Sequence, residues 1–287
     1  MLPLFRTTVV GKKVEGGGGA YKMKLEVIEN NKTDNILTFI LKDSSVAFAN
    51  VLRKNIIAKV PTMAIEEVDF KKNSSVLYDE IIAHRLGLLP LTTDLKSYVL
   101  PEKCKCKGAG CARCQLKLTL NVKTPGIIEA SKIKSQDPKI KPVYPETPIV
   151  KLLDGQALQF EATAILGKGE QHSKWSPGHA YYKHVPILTI KKNPKDAEAI
   201  VKSCPQKIFE LDKNNNLKIN KERVMLCHAC EACADVSNGA VELGREENSF
   251  IFTVESWGQI SCREMVIQAI DVLIEELNEL EMLLKQK

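Results

Sequence analysis

Hydrophobic and polar positions change rhythm several times along the chain, and each change marks an element. Residues 24–29 and 36–41 read as strands joined by the polar turn 30–35. Val46, Ala49, Leu52, Ile56 and Val60 then recur at helical spacing; Asp43, Ser44 or Ser45 can cap this helix and Pro61 ends it. Residues 62–70 alternate as a strand in which Glu66 and Glu67 are neighbours, so at least one of the pair faces water. Residues 79–86 predict a short helix closing near Gly87, ahead of Pro90. From about 91 to 186 the pattern is of short strands and turns, clearest at 116–122 and 159–166, with a further strand at 183–190. Short helices and strands are expected over 193–238, and alternation returns at 250–255.

From Cys262 onward a single long helix is expected. Val266, Ile270, Leu273, Leu277, Leu280 and Leu284 follow a 4-3-4-3-4 spacing, an apolar seam that Ile267, Ile274 and Met282 widen. Some 25 residues of helix span about 37 Å. The seam either packs on the chain's own sheet and first helix or meets a helix of a partner chain. Its width and length favour the partner.

Composition narrows the class. At 287 residues the chain can hold two or three small domains, and 44% hydrophobic with 26% charged residues is ordinary for a globular protein. No apolar run approaches the roughly 18 residues of a membrane span. A net charge of +6 permits nucleic-acid contact without requiring it. Residues 1–22, with four glycines at 16–19 and no signal-peptide core, read as a flexible N-terminal extension, and Met23 is a second possible start.

Eight of the nine cysteines fall into two groups. Cys104, Cys106, Cys111 and Cys114 form two tight knuckles joined by a loop whose glycines let the chain fold back over one ion. Four thiolates with no open position describe a structural zinc site; reduced thiols or strained disulfides are the other readings. Cys227, Cys230 and Cys233 have the Cys-x2-Cys-x2-Cys spacing of iron–sulfur proteins. Ser237 stands where a fourth cysteine would serve a second cluster, and Cys204, followed by Pro205, can complete the first. One iron–sulfur cluster, 4Fe-4S or 3Fe-4S, is therefore expected on Cys204, Cys227, Cys230 and Cys233, against zinc or an empty site. Such cysteine usage argues for a reducing cytoplasm. No phosphate-cradling glycine loop, Gly-x-Ser-x-Gly elbow or His-Glu-x-x-His motif occurs, and no histidine sits in a catalytic pairing; His84 reads as packed or capping. No catalytic residue is assigned.

Residues 48–53 (FANVLR), 61–66 (PTMAIE), 79–91 (DEIIAHRLGLLPL) and 167–177 (GKGEQHSKWSP) together resemble the alpha-like assembly subunit of DNA-dependent RNA polymerase. The cluster-bearing insertion makes the chain most similar to the archaeal members of that family, the counterparts of bacterial alpha and of the eukaryotic third-largest subunit. The resemblance covers residues 23–287. It implies an α+β chain with a discontinuous dimerisation domain at 23–91 and 239–287. A mainly-β insert domain at 92–192 would carry the zinc knuckles, and a ferredoxin-like iron–sulfur domain would occupy 193–238. The long helix would pair with the small alpha-like subunit L. That heterodimer would be the platform for the two large catalytic subunits, with two further small subunits nearby. No active site is implied, and DNA is reached only through the assembled complex; for the cluster a structural role is favoured, with oxygen or redox sensing as the alternative. A ferredoxin-type electron-transfer or redox-sensing protein is the rival reading. A lone zinc-dependent nucleic-acid binder is weaker, because no aromatic residues surround the knuckles.

Overall fold

The computed structural model describes residues 8–9, 23–192, 194 and 196–285. Its strands are β1 (Thr8–Val9), β2 (Lys24–Asn31), β3 (Ile36–Lys42), β4 (Pro61–Asn73), β5 (Gln115–Val122), β6 (Gly126–Glu129), β7 (Lys134–Ser135), β8 (Pro148–Leu152), β9 (Leu158–Lys168), β10 (Gly178–Ile190), β11 (Phe209–Leu211), β12 (Leu217–Ile219) and β13 (Val241–Ser256). Its α-helices are α1 (Val46–Ala58), α2 (Asp79–Gly87), α3 (Ala197–Ser203), α4 (Ala232–Val236) and α5 (Cys262–Lys285). Of the expected N-terminal extension, Thr8–Val9 pairs antiparallel with β2; its other residues lie outside the described ones.

Two compact units divide the chain. One comprises Met1–Asn30, Leu37–Asn50 and Tyr181–Thr253; the other comprises Asn31–Ile36, Val51–Ala180 and Val254–Lys287. The first is built on a sheet of order β1-β2-β3-β13-β10. Phe39 and Phe252 stack there at 5.1 Å and Tyr182 meets Phe250 edge-on at 5.5 Å. The β11–β12 hairpin adds a smaller core of Ile200, Ile208, Phe209, Leu217 and Val241. The second unit carries the sheet β4-β9-β5-β7 and the β6–β8 pair around a core that includes Met63, Ile82, Leu86, Leu118 and Phe160.

Local chemistry accounts for the element ends. Ser45 caps α1, its Oγ accepting the Phe48 N–H at 3.2 Å. Ala49, Leu52, Ile56 and Val60 are buried as the helical stripe requires, while Val46 is exposed. Glu66 and Glu67 are both exposed, because the β4–β9 ladder shifts register between Ile65 and Glu67 and a bulge puts consecutive side chains on one side. His84, expected to pack or cap, is exposed in the last turn of α2, where a basic side chain suits the helix dipole. The strand expected at 250–255 begins at Val241. Its first half is polar and exposed, so no alternation announced it.

The 167–177 segment is a packing device. Trp175 is buried, its Nε1 donates to the Ile165 carbonyl at 3.3 Å, and the Trp175 carbonyl accepts from Thr62 Oγ1 at 2.7 Å. A Cβ on Gly167 would overlap the indole, so only glycine fits beside it. Lys174 lies over the ring at 4.4 Å and pairs with Glu66.

Candidate metal centres and an interface helix

The knuckles form by turn chemistry. A 3-10 turn at Pro101–Lys103 delivers Cys104, whose N–H meets the Pro101 carbonyl at 3.2 Å. The Cys104 carbonyl then accepts from Lys107 at 2.9 Å, and that of Cys111 accepts from Cys114 and Gln115 at 3.0 Å each. Lys107, Gly108 and Gly110 have positive φ and turn the chain back on itself. The four sulfurs lie within 4.8 Å of one another. Sγ–Sγ separations are 3.6 Å for Cys104–Cys111, 3.4 Å for Cys106–Cys114 and 3.8 Å for Cys111–Cys114.

A tetrahedron of thiolates at about 2.3 Å from one ion has edges of roughly 3.8 Å, so the set fits a single metal. It does not fit disulfides, and no disulfide joins any of the nine cysteines. The Cys106 thiol is pulled down to about 6 by hydrogen bonds from the Cys104 and Cys114 side chains. Burial pushes Cys114 up to about 12. Lys105, Lys107 and Arg113, in and beside the loop, are exposed.

The second set is arranged otherwise. Cys227 and Cys233 are buried in the small core of the first unit, with Cys204, at the end of α3, packed against it. Burial first, then the neighbouring Cys227 and Cys204, raise the Cys233 thiol. Cys230 is exposed on the loop between them, which turns through positive φ at Ala229 and Glu231. Among the described residues only the Cys104 group closes to single-ion distances. Ser237 is buried here, its Oγ donating to Ala234 and accepting from Val241 N, each at 2.9 Å. It holds the end of α4. Lys183, which no motif marked, donates to the Cys227 carbonyl at 2.7 Å, and burial lowers its pKa.

On α5 the seam splits. Cys262, Met265, Val266 and Ala269 are buried, and Asn55 of α1 donates to the Ala269 carbonyl at 3.4 Å. Beyond that point Ile270, Ile274, Leu277, Leu280 and Leu284 are exposed, Leu277 at 55% and Leu280 at 52%, while Leu273 is half-buried. Among the described residues no helix is long and apolar enough to cross a membrane.

Residues 68–187 match the RNA polymerase Rpb3/RpoA insert domain. DNA-directed RNA polymerase subunit Rpo3 of Methanosarcina acetivorans is 38% identical over 267 residues, 92% of this chain and 99% of that protein. The subunit of the same name from Pyrococcus furiosus is 36% identical, covering 88% of this chain and 93% of that protein. That of Methanothermobacter thermautotrophicus is 32% identical over 87% and 95%. An alpha-like insert fold, two cysteine groups and a half-exposed terminal helix thus coincide with near full-length similarity, and the chain belongs to the Rpo3 family of DNA-directed RNA polymerase subunits.

Proposed function

We propose that this non-catalytic polymerase subunit is an assembly platform whose α5 seam pairs with the small alpha-like subunit L. The resulting heterodimer receives the two large catalytic subunits and two further small ones. The observation that carries this reading is the apolar half of α5 left in water: Ile270, Ile274, Leu277 and Leu280 form an exposed stripe on one helix. Burying such a stripe against a second helix is worth about 25 cal/mol per Å² of apolar area removed from water. Residues 23–91 and 239–287 are the discontinuous dimerisation domain, 92–192 the insert domain and 193–238 the ferredoxin-like domain. The subunit works in the cytoplasm and reaches DNA only through the assembled enzyme.

Cys104, Cys106, Cys111 and Cys114 would hold one zinc, which supplies a cross-link inside the insert domain and no chemistry. Cys204, Cys227, Cys230 and Cys233 would hold one iron–sulfur cluster, which supplies a covalent staple for a core too small to be stable alone. Electron transfer is not favoured for a member of this family.

The test is anaerobic co-expression with the small alpha-like subunit, followed by size exclusion and zinc, iron and sulfide analysis of the peak. A one-to-one complex is expected, and Leu277→Asp should abolish it by forcing an unpaired charge into the seam. Unchanged co-elution of that variant would overturn the seam assignment.

A further inference from the structure

Lys183 lies on β10, and strand alternation puts it on the same face as Val185, two residues on. The turn that leads into the second cysteine group covers that face. Val185 packs with Ile40 and Ile251, and Met225 of the turn packs against them. The turn, a 3-10 turn over Val224–Leu226, closes where the Cys227 N–H meets the Val224 carbonyl at 3.0 Å. Lys183 Nζ then donates to the Cys227 carbonyl at 2.7 Å. Cys227 is therefore held at both its N–H and its C=O, and the second hold comes from the main sheet of this unit.

The ammonium that provides it is half-buried. Among the described residues no carboxylate forms an ion pair with it, whereas Lys42 and Lys191 of the same unit pair with Glu26 and Glu242. A charge taken partly out of water is costly without a counter-charge. Burial disfavours the charged form of Lys183, and the neighbouring Cys227 favours it. The charge lies beside the four-cysteine set: Cys227 and Cys233 are buried, Cys204 packs against the same core, and Cys230 is on the loop between them.

We propose that Lys183 is a positioning residue of the iron–sulfur site, whose ammonium fixes the Cys227 backbone and supplies the positive charge beside which the thiolates are gathered. The inference rests on the iron–sulfur reading above. A bound cluster brings the negative charge of its thiolates, and net charge is one of the properties that set its reduction potential. An ammonium anchored by the sheet and partly withdrawn from water acts there with less screening than a surface lysine.

The full chain is purified without oxygen as the parent, Lys183→Met, Lys183→Gln and Lys183→Arg. Iron and sulfide are counted, and the midpoint potential of the cluster is read by dye-mediated dithionite titration. Met removes charge and donor, Gln keeps a donor without charge, and Arg keeps both. Lys183→Met and Lys183→Gln should make reduction about tenfold less favourable at a fixed potential, a downward shift of about 59 mV for one electron, while Lys183→Arg stays with the parent.

An unmoved midpoint in Lys183→Met overturns the inference. If the iron-free chain also melts lower, the lysine is purely structural. A midpoint restored by Lys183→Gln overturns the role of the charge. If Lys183→Met retains no cluster, iron content decides instead: recovery in Lys183→Arg alone supports the charge, and any other pattern overturns it. A parent without iron overturns the cluster itself, a failure distinct from a cluster whose potential ignores Lys183.

Discussion

The two cysteine groups use the same side chain to opposite structural ends. In the knuckles every sulfur is positioned by turns within a single short loop, and the set closes to 3.4–3.8 Å contacts. The positions of that loop needing positive φ include Gly108 and Gly110, which adopt it without strain. In the second group two thiols are buried in a small core, one is partly buried and one is exposed. Its positive φ falls on Ala229 and Glu231, where a side chain is strained. Of the knuckle loop's three positive-φ positions only Lys107 carries a side chain, whereas both of the second loop's do. The second loop therefore holds a conformation that its own residues resist.

Cys114→Ser should have the largest effect. Cys114 is 2% exposed and its sulfur touches those of Cys106 and Cys111, so its loss should abolish zinc binding and destabilise the insert domain by roughly 3–5 kcal/mol. Zinc per chain and the melting temperature report it; full zinc occupancy in the variant would break the single-ion reading. Cys230→Ser should separate cluster from fold. The thiol is exposed, so the iron-free variant should match the iron-free parent to within about 0.5 kcal/mol, while the visible iron–sulfur absorption disappears. Absorption that survives would remove Cys230 from the ligand set.

The backbone contrast is open to a paired test. Gly108→Ala should cost about 1 kcal/mol, and Ala229→Gly should stabilise the metal-free chain by about 0.5 kcal/mol, as relief of left-handed strain outweighs the added freedom of the unfolded chain. Chemical denaturation measures both, and equal signs would erase the distinction.

The smallest effect should be that of Asp94, which secures a loop of the knuckle unit with no metal. Hydrogen bonds from Ser97, Lys139 and the Lys96 amide hold its carboxyl down to about 2. A depressed carboxylate contributes stability that is complete above its ordinary value of 3.8 and is lost as pH falls from there through about 2. Asp94→Asn should cost well under about 1 kcal/mol at neutral pH, since exposed pairs are screened, and nothing below pH 2. Acid titration of metal-stripped protein checks this; an unaltered slope between pH 4 and 2 would discount the carboxylate.

Much of this molecule was legible in one dimension because the forces concerned are local. The α1 stripe, its Ser45 cap, the α2 helix and the extent of α5 follow from periods and caps that need no neighbour. The knuckles were legible for the same reason, since all four cysteines lie within one turn-rich loop. The polar half of β13 was not, because its place is set by the strands beside it and not by its own side chains. Nor was Lys183 at Cys227, where the two residues meet only once the small core has formed.

The sequence by itself determined the periodic elements, the metal-type spacing of both cysteine groups, the absence of catalytic motifs and a long apolar seam on the last helix. Only the tertiary structure decided where that seam leaves its own core, at Ala269, and that a bulge turns both Glu66 and Glu67 to water. Only it buried Gln259 with no donor at its side-chain Oε1. The division has one physical cause: helix periods, caps and tight turns are set by residues a few positions apart. Burial, register and cavities are set by chain segments that meet only after folding, and no local pattern encodes which segments those are.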